Sequence, residues 1–197
     1  MKSHRLTSTA GLRSFAGDAP ILPRLGWLRA LVVLAAGAAV GWRLGWGWAT
    51  PALVAWAASL AWLGARDVEA MVLPTRVVYV TLAVTALGLG SAALARAEWG
   101  RLGLAAGCGV AMEGLFALWA LGRPGSLGFG DVRLAGLIGL GAGWLSPGVA
   151  VLVLLVGMSV AALVGLVGLA TGRMSFGDRL PLGAFLAGAA VVVAAAR

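Results

Sequence analysis

The chain has 197 residues, of which 61% are hydrophobic and only 11% are charged. This composition excludes an ordinary soluble domain, because too few charged side chains are available to cover its surface, and it predicts a protein that lies in lipid. The formal net charge of +8 would suggest a nucleic-acid partner in a soluble protein, but here the arginines are scattered between apolar runs, so membrane topology explains them and no nucleic acid is expected.

Residues 1–24 are polar and are predicted to form an N-terminal cytoplasmic segment, and residues 25–197 are predicted to form one transmembrane domain. Cutting the domain at charges and prolines predicts seven spans: 26–42, 48–65, 77–95, 102–122, 133–146, 148–171 and 180–196. These segments are apolar on all sides and lack the alternation of barrel strands, so helices that cross the lipid bilayer are expected. The predicted fold is all-α, a polytopic transmembrane helix bundle of about seven spans.

Two segments of the chain depart from a simple single-helix span. The first span is expected to be retained rather than cleaved as a signal peptide, with Arg29 reaching toward the headgroups, although a half-inserted segment is an alternative. Residues 134–172 carry no charge and are too many for one helix, so Ser146-Pro147-Gly148 is expected to form a turn between two helices.

The distribution of basic residues predicts the orientation. With the N-terminus in the cytoplasm, the inner segments hold eleven of them: Lys2, Arg5, Arg13, Arg24, Arg29, Arg66, Arg76, Arg123, Arg133, Arg173 and Arg179. The outer segments hold four: Arg43, Arg96, Arg101 and Arg197. This bias places the loops at 66–76, 123–133 and 172–180 in the cytoplasm. Five tryptophans are then predicted at the outer interface: Trp42, Trp46, Trp48, Trp99 and Trp144.

The chemistry available to the chain is limited to carboxylates. Its only histidine is His4 in the polar segment, and its only cysteine, Cys108, lies in an apolar run, so neither a His-based nucleophile nor a metal site is expected. Seven acids remain: Asp18, Asp67, Glu69, Glu98, Glu113, Asp131 and Asp178.

Two of these acids are predicted to meet. Asp67 closes the second span and Asp131 opens the fifth, and the predicted topology places both at the inner edge of the membrane. Two carboxylates in a site of low dielectric cannot both ionise cheaply, so one keeps its proton while the other activates water, which is the chemistry of aspartic proteases. Asp131 follows Gly128-Phe129-Gly130, whose glycines allow close approach of a substrate chain; taken alone, this turn could equally be a helix start capped by Asp131.

These motifs resemble those of the type IV prepilin peptidases, the GxGD aspartyl proteases of bacterial inner membranes, over residues 48–190. The resemblance rests on Asp67 with Pro74 seven residues later, followed by GxGD ending at Asp131. A proline and a glycine near the last span, Pro181 and Gly183, are similar to a third family motif. Three positions depart from the family pattern: Thr75, Arg133 and Asp178.

The resemblance implies a multi-pass inner-membrane aspartic endopeptidase that removes the basic leader from a prepilin or pseudopilin at the cytoplasmic face, without metal or cofactor. It implies that Asp67 and Asp131 are catalytic. The implied substrate-binding residues are Gly128, Phe129, Gly130, Pro74, Pro181 and Gly183. The chain resembles a short form that lacks the loop with paired CxxC motifs, so methyltransferase activity is not expected. The specific substrate and the oligomeric state stay open.

Two other functions are compatible with the sequence. One is a small transporter in which Asp67, Glu113 and Asp131 relay protons, and the other is a non-catalytic component of a secretion system. Glu113 is expected to be protonated and hydrogen-bonded to another helix. Glu69 is expected to face solvent or to pair with Arg66 or Arg76, and Asp178 to be an ordinary loop acid. The remaining two acids, Asp18 and Glu98, are expected to be solvated.

Overall fold

The computed structural model describes residues 26–71, 73–123, 127–175 and 180–197. Within these ranges the chain forms seven helices and no strand, which confirms the predicted all-α class. The helices are α1 Gly26–Leu44, α2 Thr50–Ala70, α3 Thr75–Arg96, α4 Trp99–Gly122, α5 Phe129–Leu145, α6 Pro147–Ala170 and α7 Leu182–Ala196. Each predicted span corresponds to one of them.

Local backbone chemistry explains where the helices break. The predicted turn at Ser146-Pro147-Gly148 is confirmed: Ser146 is extended, its hydroxyl accepts the N–H of Val149 at 3.2 Å, and α6 begins at Pro147. Helix α2 is followed by Met71 and α3 by Ala97, two residues whose left-handed conformation turns the chain out of the helix.

The bundle is a membrane protein by the length and composition of its helices. Four helices, α1, α3, α4 and α6, are long and apolar enough to cross a bilayer, and α7 is a shorter apolar helix. Their outer faces carry many exposed leucines and valines, which lipid can cover and water cannot. The described part of the chain is therefore a helical membrane bundle.

Helix α5 forms the centre of this bundle. Every residue from Leu134 to Trp144 is buried, although α5 has only 17 residues. Its glycines allow α4 to approach closely, because a Cβ at Gly139 would stand 2.6 Å from the carbonyl oxygen of Cys108 and 2.8 Å from the Cα of Gly109. Such contacts between small residues replace the hydrophobic driving force that helices lack in lipid.

Four helix termini meet at one end of the bundle, which we call the aspartate end: the C-terminus of α2 and the N-termini of α3, α5 and α7. The contacts that define it join Asp67 to Ala184, and Leu73 to Gly130. The start of α1 lies at this end as well, because Arg29 forms a salt bridge with Glu69. Which side of the membrane this end faces stays a prediction.

The opposite end is held by two arginines that donate to helix carbonyls. Arg43 donates to the carbonyl of Ala196 at 3.0 Å, and Arg101 donates to that of Trp144 at 2.8 Å. Four of the five tryptophans that are predicted at the outer interface lie at this end and are exposed: Trp42, Trp46, Trp48 and Trp99. Trp144 lies at this end as well, but it is only 2% exposed and packs beneath the guanidinium of Arg101.

The packing of α4 on α5 predicts that Gly139→Ala lowers stability. The new methyl group would meet backbone atoms, which cannot rotate aside, so the helices must separate at a cost of roughly 1–3 kcal/mol in the free energy of unfolding. The apparent melting temperature of the detergent-solubilised protein should fall by several degrees, at about 2–4 °C per kcal/mol.

Gly107→Ala is the matched control. Gly107 lies on α4 and nothing is within 4 Å of its Cβ position, so the substitution should leave stability unchanged or raise it slightly. Equal changes in melting temperature for the two variants would contradict this packing of α4 and α5.

Candidate active site

Asp67 lies in the last turn of α2 and is the one buried acid among the described residues, at 5% exposure. Its carboxylate faces α7, where Oδ2 accepts the backbone N–H of Ala184 at 3.0 Å. The N-terminus of a helix carries unpaired N–H groups and a partial positive charge, so it favours a nearby carboxylate. Helix α7 therefore both orients Asp67 and offsets part of the cost of burying it.

Asp131 is the third residue of α5 and is half-buried. The residue before the helix is Gly128, whose carbonyl accepts the N–H of Asp131 at 3.0 Å. In turn, Oδ2 of Asp131 lies 3.5 Å from the Cβ position of Gly128, and the carboxyl interacts with the N–H of that residue. A carboxyl at the third helical position often reaches back in this way to the start of the helix. Asp131 is therefore not the N-capping residue, which is Gly128.

The two carboxyl groups converge on Gly183, the second residue of α7. A Cβ added to Gly183 would stand 2.9 Å from Oδ2 of Asp67 and 3.0 Å from Oδ1 of Asp131. The backbone N–H of Gly183 also interacts with both carboxyls. A glycine is required here, because a larger side chain would push the carboxyls apart or away from α7. Asp67 and Asp131 thus meet beside Gly183, a residue that the sequence predicts to bind substrate.

Basic residues near the pair in sequence do not neutralise it. Arg66, next to Asp67, lies over the ring of Trp62 at 5.5 Å. Arg133, two residues beyond Asp131, lies 5.4 Å from the ring centre of Tyr79 and approaches the hydroxyl of Thr75 at 3.5 Å. Within the described ranges, neither aspartate forms a salt bridge. Two close carboxyl groups that are held by backbone donors, and that pair with no cation of the described segments, can share a single proton.

The residues just before Asp131 form an accessible edge of the site. Gly128 and Phe129 are exposed, the latter at 61%, and Gly130 is half-buried. Leu73 packs on Gly130, where a Cβ would stand 3.0 Å from that of the leucine. The chain that follows Asp67 is thereby placed against the turn that precedes Asp131, a contact that the sequence did not predict.

The two prolines assigned to substrate binding occupy helix starts. Pro74 precedes α3, and its carbonyl accepts the N–H groups of Val77 and Val78. Pro181 precedes α7, and its carbonyl accepts the N–H of Ala184 at 3.1 Å, so this N–H is shared with Asp67. Both prolines position neighbouring elements of the site, and their contact with a substrate stays a prediction.

Two predictions about the other acids are corrected. Glu69 pairs with Arg29 instead of Arg66 or Arg76, because the start of α1 packs beside the end of α2. The charge of Arg29 is therefore balanced by Glu69 and does not depend on the lipid headgroups alone. Glu113 receives no hydrogen bond from any described residue. It is exposed on α4, and its carboxyl packs against Gly136 of α5.

Several predicted features fall outside the described residues, namely His4, Asp18 and Asp178. Within the described part of the chain, no group of three or more His, Cys, Asp or Glu side chains could hold a metal ion.

Comparison with known proteins finds similarity to a curated protein. The chain is 30% identical over 160 residues to a protein of Stutzerimonas stutzeri named prepilin leader peptidase/N-methyltransferase. The match covers 75% of this chain and 50% of the relative, so the chain spans about half the length of the protein it matches. No family model matches the chain. No solved structure matches it either.

Proposed function

We propose that this chain is a member of the prepilin leader peptidase family and that it hydrolyses a peptide bond with Asp67 and Asp131 as the catalytic pair. The observation that carries the proposal is the convergence of the two carboxyl groups on Gly183, away from any salt bridge within the described ranges. The D-x6-P and GxGD motifs support it, as does the similarity to the leader peptidase of Stutzerimonas stutzeri.

The chemistry follows from one proton shared between two carboxyl groups. The ionised carboxylate accepts a proton from a water molecule, which attacks the carbonyl carbon of the scissile peptide bond. The protonated carboxyl donates its hydrogen to the carbonyl oxygen as this oxygen gains charge. When the tetrahedral intermediate collapses, the C–N bond breaks, one carboxyl gives a proton to the leaving amine, and the other carboxylate takes a proton from a hydroxyl of the intermediate. A carboxylic acid and an amine leave, and the pair again holds one proton.

The arrangement of backbone donors supports these roles. The N–H of Ala184 is bound to Oδ2 of Asp67, while Gly128 lies against Oδ2 of Asp131. Backbone donors therefore fix both carboxyls while Oδ2 of Asp67 and Oδ1 of Asp131 lie close enough to bind a shared water molecule beside Gly183. Such preorganised geometry removes reorientation from the barrier of the reaction.

The proposed substrate is a prepilin or pseudopilin, a chain with a short basic leader followed by an apolar helix. The exposed edge formed by Gly128, Phe129 and Gly130 can accept an extended backbone, since two of its three residues lack side chains. An apolar helix would remain in the bilayer beside the bundle while its leader lies at the aspartate end. This end would then face the cytoplasm at the bacterial inner membrane. The proposed activity is peptide-bond hydrolysis, without methylation of the product.

The first prediction of the proposal concerns the aspartates. Purified protein in liposomes should cleave a prepilin, whereas Asp67→Asn and Asp131→Asn should each lower the rate by about 1,000-fold or more, because an amide can neither accept nor donate the required proton. Mass spectrometry of the new pilin N-terminus measures the reaction.

Glu98→Gln is the control for the aspartate variants. Glu98 lies before α4 at the opposite end of the bundle and pairs with Arg101, so its loss should leave cleavage unchanged. Normal cleavage by both aspartate variants would refute the assignment, and it would leave proton transport or an assembly role as the alternatives.

The second prediction concerns Gly183. In Gly183→Ala the methyl group would contact both carboxyl groups, so we expect a fall in kcat of roughly 100-fold with little change in folding. Gly188→Ala on the same helix is the matched control, because nothing lies within 4 Å of its Cβ position. Equal activity of the two alanine variants would show that the carboxyls do not meet beside α7.

A further inference from the structure

Helices α2 and α5 carry one catalytic aspartate each, yet their backbones have few direct contacts. At the aspartate end, α7 lies between them through Gly183. Deeper in the bundle, the side chain of Trp56 on α2 bridges the gap and reaches α5. A rigid bridge of this kind can determine how far one helix is shifted along the other.

The contact of Trp56 with α5 is specific in both shape and hydrogen bonding. The indole is fully buried, and its Nε1–H donates to the backbone carbonyl of Leu137 at 2.9 Å. A Cβ at Gly141 would stand 2.3 to 2.6 Å from the indole atoms Cε2, Nε1 and Cδ2. Gly141 is therefore a notch in α5 that admits the ring, and the carbonyl of Leu137 satisfies a donor that would otherwise be unpaired in an apolar interior.

The spacing of this contact matches the spacing of the aspartates. Trp56 lies eleven residues before Asp67 on α2, and Gly141 lies ten residues after Asp131 on α5. At 1.5 Å per residue these separations are about 16 Å and about 15 Å along the two helices. Because the helices run in opposite directions, seating the indole in the notch brings the aspartates to the same depth.

We infer that Trp56 and Gly141 form a register lock, an indole and a notch that hold α2 and α5 at the axial position in which Asp67 and Asp131 meet. These are positioning residues, since neither contacts the carboxyl groups. The inference rests on the proposed function for its kinetic consequences, but the register itself is a property of the structure. A shift of one residue along a helix, 1.5 Å, would be enough to separate two groups that must share a proton.

The test uses a substitution and its compensating partner. Gly141→Ala should displace the indole and lower kcat for prepilin cleavage by roughly tenfold or more, with KM changed less than about twofold, because the exposed edge of the site is untouched. In the double variant with Trp56→Leu, the smaller side chain on α2 offsets the methyl group added on α5, so the register and most of the lost rate should return. Gly141→Ala with normal kcat, or a double variant no better than Gly141→Ala, would overturn the inference.

A second readout does not depend on activity. In a background that carries Cys108→Ala, the substitutions Asp67→Cys and Asp131→Cys introduce two thiols that a short thiol-reactive cross-linker should join rapidly. Adding Gly141→Ala should slow this cross-linking several-fold. Adding Trp56→Leu as well should restore the rapid rate. Cross-linking that ignores Gly141→Ala would refute the register lock even if cleavage falls. If the unmodified protein does not cleave prepilin, the proposed function fails, and the cross-linking series alone decides the register.

A failure of Gly141→Ala to accumulate is also informative. The double variant should then restore a folded protein that cross-links at the rate of the unmodified bundle, whereas a double variant that folds as poorly as the single one contradicts the inference. Trp56→Phe, which loses the hydrogen bond to Leu137 but keeps a ring, should slow cross-linking less than Gly141→Ala does.

Discussion

The arrangement depends on keeping two acidic side chains together in a place with little water and no neighbouring cation within the described ranges. Removing an ionised carboxylate from water costs several kcal/mol, and a second one beside it adds repulsion. The structure limits this cost with backbone N–H groups at the starts of α5 and α7, because these donors are fixed and bring no charge to quench the pair. Asp67 and Asp131 can then exchange a single proton, which a salt bridge to arginine would prevent.

The rest of the bundle holds these groups in place through close backbone packing. Gly64 allows α7 to lie against α2, so that Ala184 reaches Asp67, while Gly139 allows α4 to support α5 from another side. Helix α5 is enclosed by its neighbours, which is why its 17 residues are rich in glycine and carry no charge after Arg133. Rigid elements position a catalytic pair better than loops do, and both aspartates belong to helices.

Much of this could be predicted from the sequence, because apolar length and charge placement are direct consequences of solvation by lipid. The seven helices follow from them. The common end of Asp67 and Asp131 follows as well, because the two spans predicted between these residues return the chain to the side from which it started. The hydrogen-bond donors to the two aspartates could not be predicted. The N–H of Ala184 belongs to the backbone, so its direction depends on how α7 packs and not on the type of residue. Arg29 and Glu69 are forty residues apart in sequence and meet only because α1 packs beside α2. The burial of Trp144 beneath the guanidinium of Arg101 is likewise a tertiary contact that the sequence does not reveal.

If Asp67 and Asp131 act together, both carboxyl groups bind one tetrahedral oxygen of the reacting peptide, and the affinity for a transition-state analogue measures this binding. A prepilin peptide in which a secondary alcohol replaces the scissile amide should bind at least about 100-fold more tightly than the same peptide with the amide made uncleavable by N-methylation, because the hydroxyl mimics the attacking water. Calorimetry with protein in detergent should show this preference and its loss in both Asp67→Asn and Asp131→Asn. Equal affinity for the two peptides, or a preference that survives in either variant, would show that the two carboxyls do not act on one oxygen.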